Sequence, residues 1–333
     1  MPAMNEAAQV GKRQEIADQI FNIEADATPM LSSLKTGKMP NQMLATWVGE
    51  VFPDVASTGV LDGTAATTPT RVDRYLLQGA AQHFRREWGV STLAQLTNTA
   101  GVNRDEAGHQ AMLALLLLKR MIEQQLGSAD DAAVENGSTP WTSRGVFSWL
   151  SASAQTNLAV PASLRPAAGC NLTTAMASVT ENILRGAFEA AFAAKRSYLN
   201  LRGFVGYDLR AAIDDLTNVY PAASTSSQPR TIYRVERNDS FELSVDKIRF
   251  SVGEASLITT TFLGVDTSTG AASAYTPKSG VFIDPKQWEL AYLQKPALTT
   301  LPPDGSGKKG YADAVAILKC LNPLGQISLY SNS

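Results

Sequence analysis

A stretch from Gln42 to Gln78 carries too few apolar side chains to form a core of its own, and this limits what the chain can fold into. Within it, Trp47, Val48, Val51 and Phe52 read as a strand, and Arg71 to Leu77 reads as a returning strand. Between them, Pro53 to Thr70 is a run of eighteen mostly small, polar and turn-forming residues, including Gly59, Asp62-Gly63 and Thr68-Pro69. A span of that length is unusual inside a compact domain and is usually functional or mobile. Two strands joined by a long tip make a hairpin, and a hairpin is marginal alone. It must therefore lie on something, and we expect the chain to finish its core on neighbouring copies.

The elements on either side are better defined. Residues 5–24 read as a helix with Ile16, Ile20 and Ile23 along one side. Thr28-Pro29 stops it, because a residue before proline is pushed away from helical geometry, and Met30, Leu31 and Leu34 form a small apolar knot. Residues Ala80 to Leu93 continue as strand, with Phe84, Trp88 and Val90 on one face. A long helix then spans 103–126. Asn103 is its expected cap, with Glu106 reaching back in a capping box. Gly127 is expected to end it in the left-handed conformation. At 1.5 Å per residue the rod is roughly 36 Å long. Ala111 to Leu118 are apolar nearly all round, so its middle should be buried on several sides.

Beyond a small-residue loop, 151–170 is polar and proline-punctuated, as a domain seam would be. A second helix is expected over 172–194, from Leu172, Met176, Val179, Ile183 and Ala187. Residues 203–207 read as a short strand and 208–217 as a short helix. The last third reads mostly as strand: Phe241 to Val245 in one phase, Ile248 to Val252 in the other, then 257–263, 280–283 and 314–320. The phase slip at Asp246-Lys247 implies a bulge or a turn.

Charge and cysteine usage exclude several classes. Net charge is −2, from 29 basic and 31 acidic residues, which is not the basic excess of a dedicated nucleic-acid binder. Charged residues are only 18% of the chain, so much of the surface has reason to be covered by other chains. Cys170 and Cys320 cannot build a disulfide scaffold; one bond between them stays open, and two buried thiols in a reducing compartment is the favoured reading. The first residues lack the apolar core of a signal peptide. The most apolar run, Ala111 to Leu118, falls far short of the ~20 residues of a spanning helix. A cytoplasmic chain with no membrane anchor is expected.

Chemistry is hard to find. His83 and His109 lack partners at metal-ligand spacing, and no Cys-x-x-Cys occurs. There is no Gly-x-Ser-x-Gly elbow, and Ser32-x-x-Lys35 and Ser244-x-x-Lys247 are chance spacings. Gly305 to Gly310 fails the phosphate-loop pattern, since Pro302 and Lys309 stand where glycine and Ser/Thr are needed. Asp130-Asp131 and Asp214-Asp215 are adjacent pairs whose side chains diverge, so neither is a shared acid–base site. No cofactor or metal is expected. Aromatic and basic residues do interleave, at Arg71, Arg74 and Tyr75 and at Phe84, Arg85, Arg86 and Trp88. Base stacking is one reading; strands packing on a neighbouring subunit is the favoured one. We therefore mark Trp47, Phe52, Arg71, Arg74 and Tyr75 as candidate intersubunit contacts.

The order of these motifs resembles the major capsid (head) proteins of tailed bacteriophages, nearest to those with a Thr-Pro-x-Leu-Ser-Ser turn near the N-terminus. The residues that carry the resemblance are Thr28 to Leu34, Trp47, Asp62-Gly63 before a Thr-rich tip, Asn103 to Glu106, Leu118 to Glu123, and Leu318 to Pro323. It covers 16–126 well and 276–333 loosely, and leaves 130–275 unmatched. It implies an α+β chain with the Hong Kong 97-type capsid fold. The N-terminal arm would be 1–40 and the extended β-hairpin loop 41–78. A peripheral domain over 79–165 would hold the spine helix at 103–126. An axial domain would follow over 166–275, and 276–333 would return strands to the peripheral domain. The implied function is a structural, non-enzymatic shell subunit that assembles as hexamers and pentamers around double-stranded DNA held without base-specific contact. Its implied partners are itself and a separate scaffold, portal or decoration protein, without membrane. Its implied place is the virion, after assembly in the host bacterial cytoplasm. Two other readings stand beside it: a nanocompartment shell holding a cargo enzyme, and a soluble cytoplasmic hydrolase with a β-rich second domain.

Overall fold

The computed structural model describes residues 28–39, 41–52, 59, 61–63, 65, 72–96, 105–173, 179–217, 246–263, 278–302 and 307–329. The helix expected over 5–24, most of the hairpin tip, Arg71, Asn103 and the strand expected over 241–245 lie outside the described residues. By proximity the chain divides into two compact units, one drawing on 85–118 and 296–313, the other on 27–84, 119–295 and 314–333.

Helices and strands mix throughout. The N-terminal elements are α1 (Pro29–Ser33), β1 (Lys35–Lys38), β2 (Leu44–Val51), β3 (Asp73–Ala80) and β4 (Gln82–Val90). Next come α2 (Thr92–Leu96), α3 (Glu106–Leu126), α4 (Val146–Trp149) and β5 (Asn171–Leu172). Then follow α5 (Glu181–Lys195), β6 (Leu199–Val205), α6 (Tyr207–Thr217), β7 (Lys247–Phe250) and β8 (Gly253–Thr259). The chain closes with β9 (Gly280–Ile283), β10 (Trp288–Thr300), β11 (Lys308–Cys320) and β12 (Ile327–Leu329). One sheet has the order β1-β10-β11-β4, a second β5-β12-β9-β6-β8-β7, and β2 and β3 pair by themselves.

In the first unit, Asp105 caps the described start of α3: its carboxylate accepts the Gly108 backbone N–H at 3.0 Å. Glu106, expected at the third helical position, is instead the first, and its carboxylate accepts from the Gln110 side chain one turn on. The Arg85 guanidinium lies 4.4 Å over the Tyr311 ring, so this basic–aromatic pair is spent within the unit.

The second unit holds the principal core. Strand β6 is parallel to β8 and antiparallel to β9, and its inner residues Leu201, Phe204 and Val205 are buried. Only its last three residues, Gly203 to Val205, are covered on both faces; Asn200 near its start is exposed. Helix α5 covers this sheet with Leu184, Ala187, Phe188 and Ala191. The Phe188 ring meets Phe250 at 5.0 Å and Phe282 at 5.8 Å, distances at which aromatic pairs attract beyond their area.

Four sequence expectations need correction. Helix α5 starts at Glu181, not 172, because Leu172 is taken into a parallel strand opposite Leu329 and the Thr180 hydroxyl caps the helix by accepting the Ile183 N–H. Ile248, Phe250 and Val252 do not share one strand: the chain turns at 251–252 between β7 and β8, and β8 ends at Thr259 rather than running on to 263. Gly127 ends α3 but has no positive φ; a side chain there would collide with the Phe262 carbonyl, so close backbone approach is what demands glycine. The middle of α3 is less enclosed than its composition suggests: Ala114 and Leu118 are buried, yet Met112 is 64% exposed and Leu113 and Leu115 to Leu117 are half-buried.

Candidate intersubunit surface

Strands β2 and β3 form an antiparallel ribbon with Trp47 opposite Leu77, Val48 opposite Leu76, Gly49 opposite Tyr75 and Glu50 opposite Arg74. Because successive side chains alternate faces, the register sorts the ribbon into an inner and an outer side. Ala45 and Leu77 on the inner side are buried. Ala45 belongs to a small core with Met39, Ala81, Ala291, Val315 and Ile317, against which Met43, Trp47 and Leu293 pack. Trp47 secures the root. Its indole N–H donates to the Cys320 carbonyl at 3.0 Å, and its ring lies 5.7 Å from that of buried Trp149. Gly79 makes room for it: an added Cβ would stand 2.8 Å from Ile317 and 3.4 Å from the Trp47 ring.

The outer side is different. Val48 is 60% exposed and Leu76 52%, and they face one another across the strands. Beside them Glu50 and Arg74 form an exposed ion pair at 2.8 Å. At the open end Phe52, 77% exposed, and Val72 extend the apolar strip. In the lone subunit this cross-strand apolar pair and its flanking ion pair face water. Covering each of the apolar side chains would contribute about 1–2 kcal/mol.

The five candidate residues therefore fall into groups. Trp47 and half-buried Tyr75 lie on the inner side, and Trp47 is engaged within its own chain. Phe52 and Arg74 are exposed toward the outer side. Arg71 is outside the described residues. Val48 and Leu76 are not among the five. The signal that singles them out is the register, which puts both on one face once Trp47 is assigned to the other.

Behind the ribbon root, in the same unit, lies a polar hub that no sequence motif marks. Arg144 is 1% exposed. It pairs with Asp131 at 2.9 Å, donates to the carbonyls of Asn157 and Leu158, and stacks 4.7 Å over the Trp149 ring. Burial pushes the Arg144 guanidinium below its usual range, and the Asp131 charge and hydrogen bond push it back up. Asp131 also accepts from the Thr156 and Asn157 backbone N–H groups at 2.9 and 3.2 Å. It thereby ties loop 151–158, where Leu158 holds a left-handed φ of 46°, to the body. This is the work of a structural clamp, and Asp130 turns away to the Gln125 side chain. A cavity of about 500 Å³ beside it is lined by small polar side chains including Ser151, Ser153 and Thr156. Among the described residues no group of His, Cys, Asp and Glu could hold a metal ion. No described helix is long and apolar enough to cross a membrane. Cys170 and Cys320 are buried free thiols, and burial pushes Cys170 up to about 11 and Cys320 well above its usual value, as inert thiols require.

A family model described as the SU10 major capsid protein matches residues 3–327. No curated protein matches the chain. Among solved structures, the chain is similar to one titled cyanophage A-1(L) capsid asymmetric unit, at 12% identity and a TM-score of 0.62, covering 98% of each chain. It is similar to one from Mycobacterium phage Bobi at 13% identity and a TM-score of 0.61, covering 100% of each. A third, the capsid of a native GTA particle, matches at 10% identity and a TM-score of 0.59, with 99% of this chain and 100% of that one covered. At such identities the likeness is one of fold.

Proposed function

The chain belongs to the SU10 major capsid protein family, and from that premise we propose how its surfaces serve the shell. Its fold is the Hong Kong 97-type capsid fold, and its role is structural, as a subunit of the icosahedral head shell in the virion of a tailed phage. The ribbon β2–β3 is the clamp between subunits. Its inner side belongs to its own subunit through Trp47, and its outer side, with Val48, Leu76, Phe52 and Arg74, is covered by a neighbouring copy. The observation that carries this reading is the exposed Val48–Leu76 pair beside the Glu50–Arg74 ion pair, on a ribbon whose other face is already used. Tyr75 and Arg71 are assigned to the same intersubunit contact. Each contact is modest, and closed symmetry repeats it many times, so the summed effect is large.

The remaining assignments follow the same frame. The arm is 1–40, the extended loop 41–78, the peripheral domain 79–165, the axial domain 166–275, and 276–333 returns to the peripheral domain. Hexamers and pentamers of the chain enclose double-stranded DNA through contacts without base specificity, in keeping with a net charge of −2. Assembly takes place in the host bacterial cytoplasm with a separate scaffold, portal or decoration protein. We assign the chain no catalytic step and no cofactor.

Deleting residues 54–69 tests the clamp. The shortened subunit should keep its circular dichroism spectrum, because the ribbon root is held by Trp47 rather than by the tip. Shell assembly, followed by sedimentation, should be blocked or misdirected. Shells of normal size and yield from the shortened chain would remove the hairpin from the account.

A further inference from the structure

Glu123 is a carboxylate in an apolar place. It is 1% exposed, on the stripe of α3 that also buries Ile122 and Leu126. Its two oxygens each accept one backbone N–H, from Met30 at 2.8 Å and Leu31 at 2.6 Å. Those amides belong to the first turn of α1, where the Thr28 side chain makes no cap hydrogen bond. A residue 93 positions further along thus does what a local cap would do. Met30 and Leu34 are buried on either side of the attachment. On the proposed assignment of 1–40 as the N-terminal arm, Glu123 holds the arm at α1.

We propose that Glu123 is a proton-controlled clasp on the root of the N-terminal arm, holding Pro29–Ser33 more firmly in mildly acidic than in alkaline solution. Two opposing effects set its behaviour. Burial raises the Glu123 carboxyl, and the amides of Leu31 and Met30 lower it; burial wins, and the group is pushed up to about 7 from 4.5. The charged residues nearest in sequence are Lys119 and Arg120, about one turn earlier on α3, and, beside the amides it holds, Lys35 just past α1. The shift arises from burial and the two amides rather than from those charges.

The direction follows from linkage. With the clasp closed the carboxyl binds its proton up to about pH 7; with it open and solvated, only up to about 4.5. The closed form therefore binds more protons, and its advantage is complete below pH 4.5. The advantage falls as pH rises through that interval and is spent above about 7. The opening equilibrium should grow on the order of a hundredfold across the window.

Hydrogen exchange on the purified full-length protein tests this. Protection factors, corrected for intrinsic exchange, are followed for peptides covering 28–34 between pH 4.5 and 8.5. Peptides covering α5 serve as the internal reference. Protection over 28–34 should fall at least tenfold between pH 4.5 and about 7 and level off above that, while α5 stays level. In Glu123→Gln the fall should vanish. A flat profile over 28–34 in the natural protein, a parallel fall in α5, or an unchanged slope in Glu123→Gln would each overturn the proposal. Should Glu123→Gln not fold, the natural protein's profile against α5 still decides.

Discussion

Replacing Asp131 with alanine is expected to lower the stability of the unassembled subunit by about 3–5 kcal/mol. The cause is what remains behind. Arg144, with a fully buried side chain, loses its counter-charge at 2.9 Å. The backbone N–H groups of Thr156 and Asn157 lose their acceptor, and the loop that holds Leu158 at a positive φ loses its tether. Breaking a buried ion pair from one side is costly because it strands a charge, whereas replacing both partners by apolar groups can be nearly neutral. The double variant Asp131→Ala with Arg144→Met should therefore recover much of the loss, and Asp131→Asn should fall between. Urea unfolding of the variants reads this out. A loss under about 1 kcal/mol for Asp131→Ala would mean that the hub is not a clamp.

The second large effect concerns assembly, not folding. Leu76→Asp places a carboxylate on the outer side of the ribbon, where Leu76 is 52% exposed. In the lone subunit it should cost no more than about 0.5 kcal/mol, as surface changes do. In a shell the same carboxylate would be pressed against a neighbour, desolvated and unpaired, at every copy of the contact. Soluble, folded subunits or capsomers should accumulate in place of closed shells. Val48→Asp, directly opposite, should act alike. Trp47→Phe provides the contrast, since it removes the hydrogen bond to the Cys320 carbonyl inside the subunit and should lower stability by about 1 kcal/mol. If Leu76→Asp assembles as the natural chain does, the outer side is not a contact.

Much of the fold is legible in the amino-acid pattern. The strand pair around Trp47 and Leu76, strand β4 within the expected 80–93, the long helix from Glu106 on, the strand at 280–283 and the helix expected over 208–217 rest on local periodicity and form where it predicts them, although Leu93 falls in α2 and Tyr207 opens α6. The family likeness carried by motif order agrees with the match over residues 3–327. What local pattern does not show depends on distant partners. Leu172 fits a helical stripe, but Leu329 claims it for a strand. Gly127 looks like a left-handed helix end, but the Phe262 backbone, far along the chain, is the reason for glycine. Asp131 and Arg144 meet across a loop, and no spacing rule links them. Glu123 does leave a trace, a charge inside the apolar stripe of Leu118, Ile122 and Leu126, which periodicity alone treats as noise. At the ribbon, Val48 follows Trp47 and Leu77 follows Leu76, so apolar residues fall on both faces, and only the register with the burial of Ala45 and Leu77 shows which face turns inward.

We propose that this chain builds closed shells from copies of itself with the ribbon as one of the clamps. Electron microscopy of the purified protein at high concentration tests it most directly. The account predicts uniform icosahedral particles or capsomer rings, with DNA or empty space inside rather than a cargo enzyme. A discrete monomer or dimer that forms neither rings nor shells under any assembly condition would contradict it.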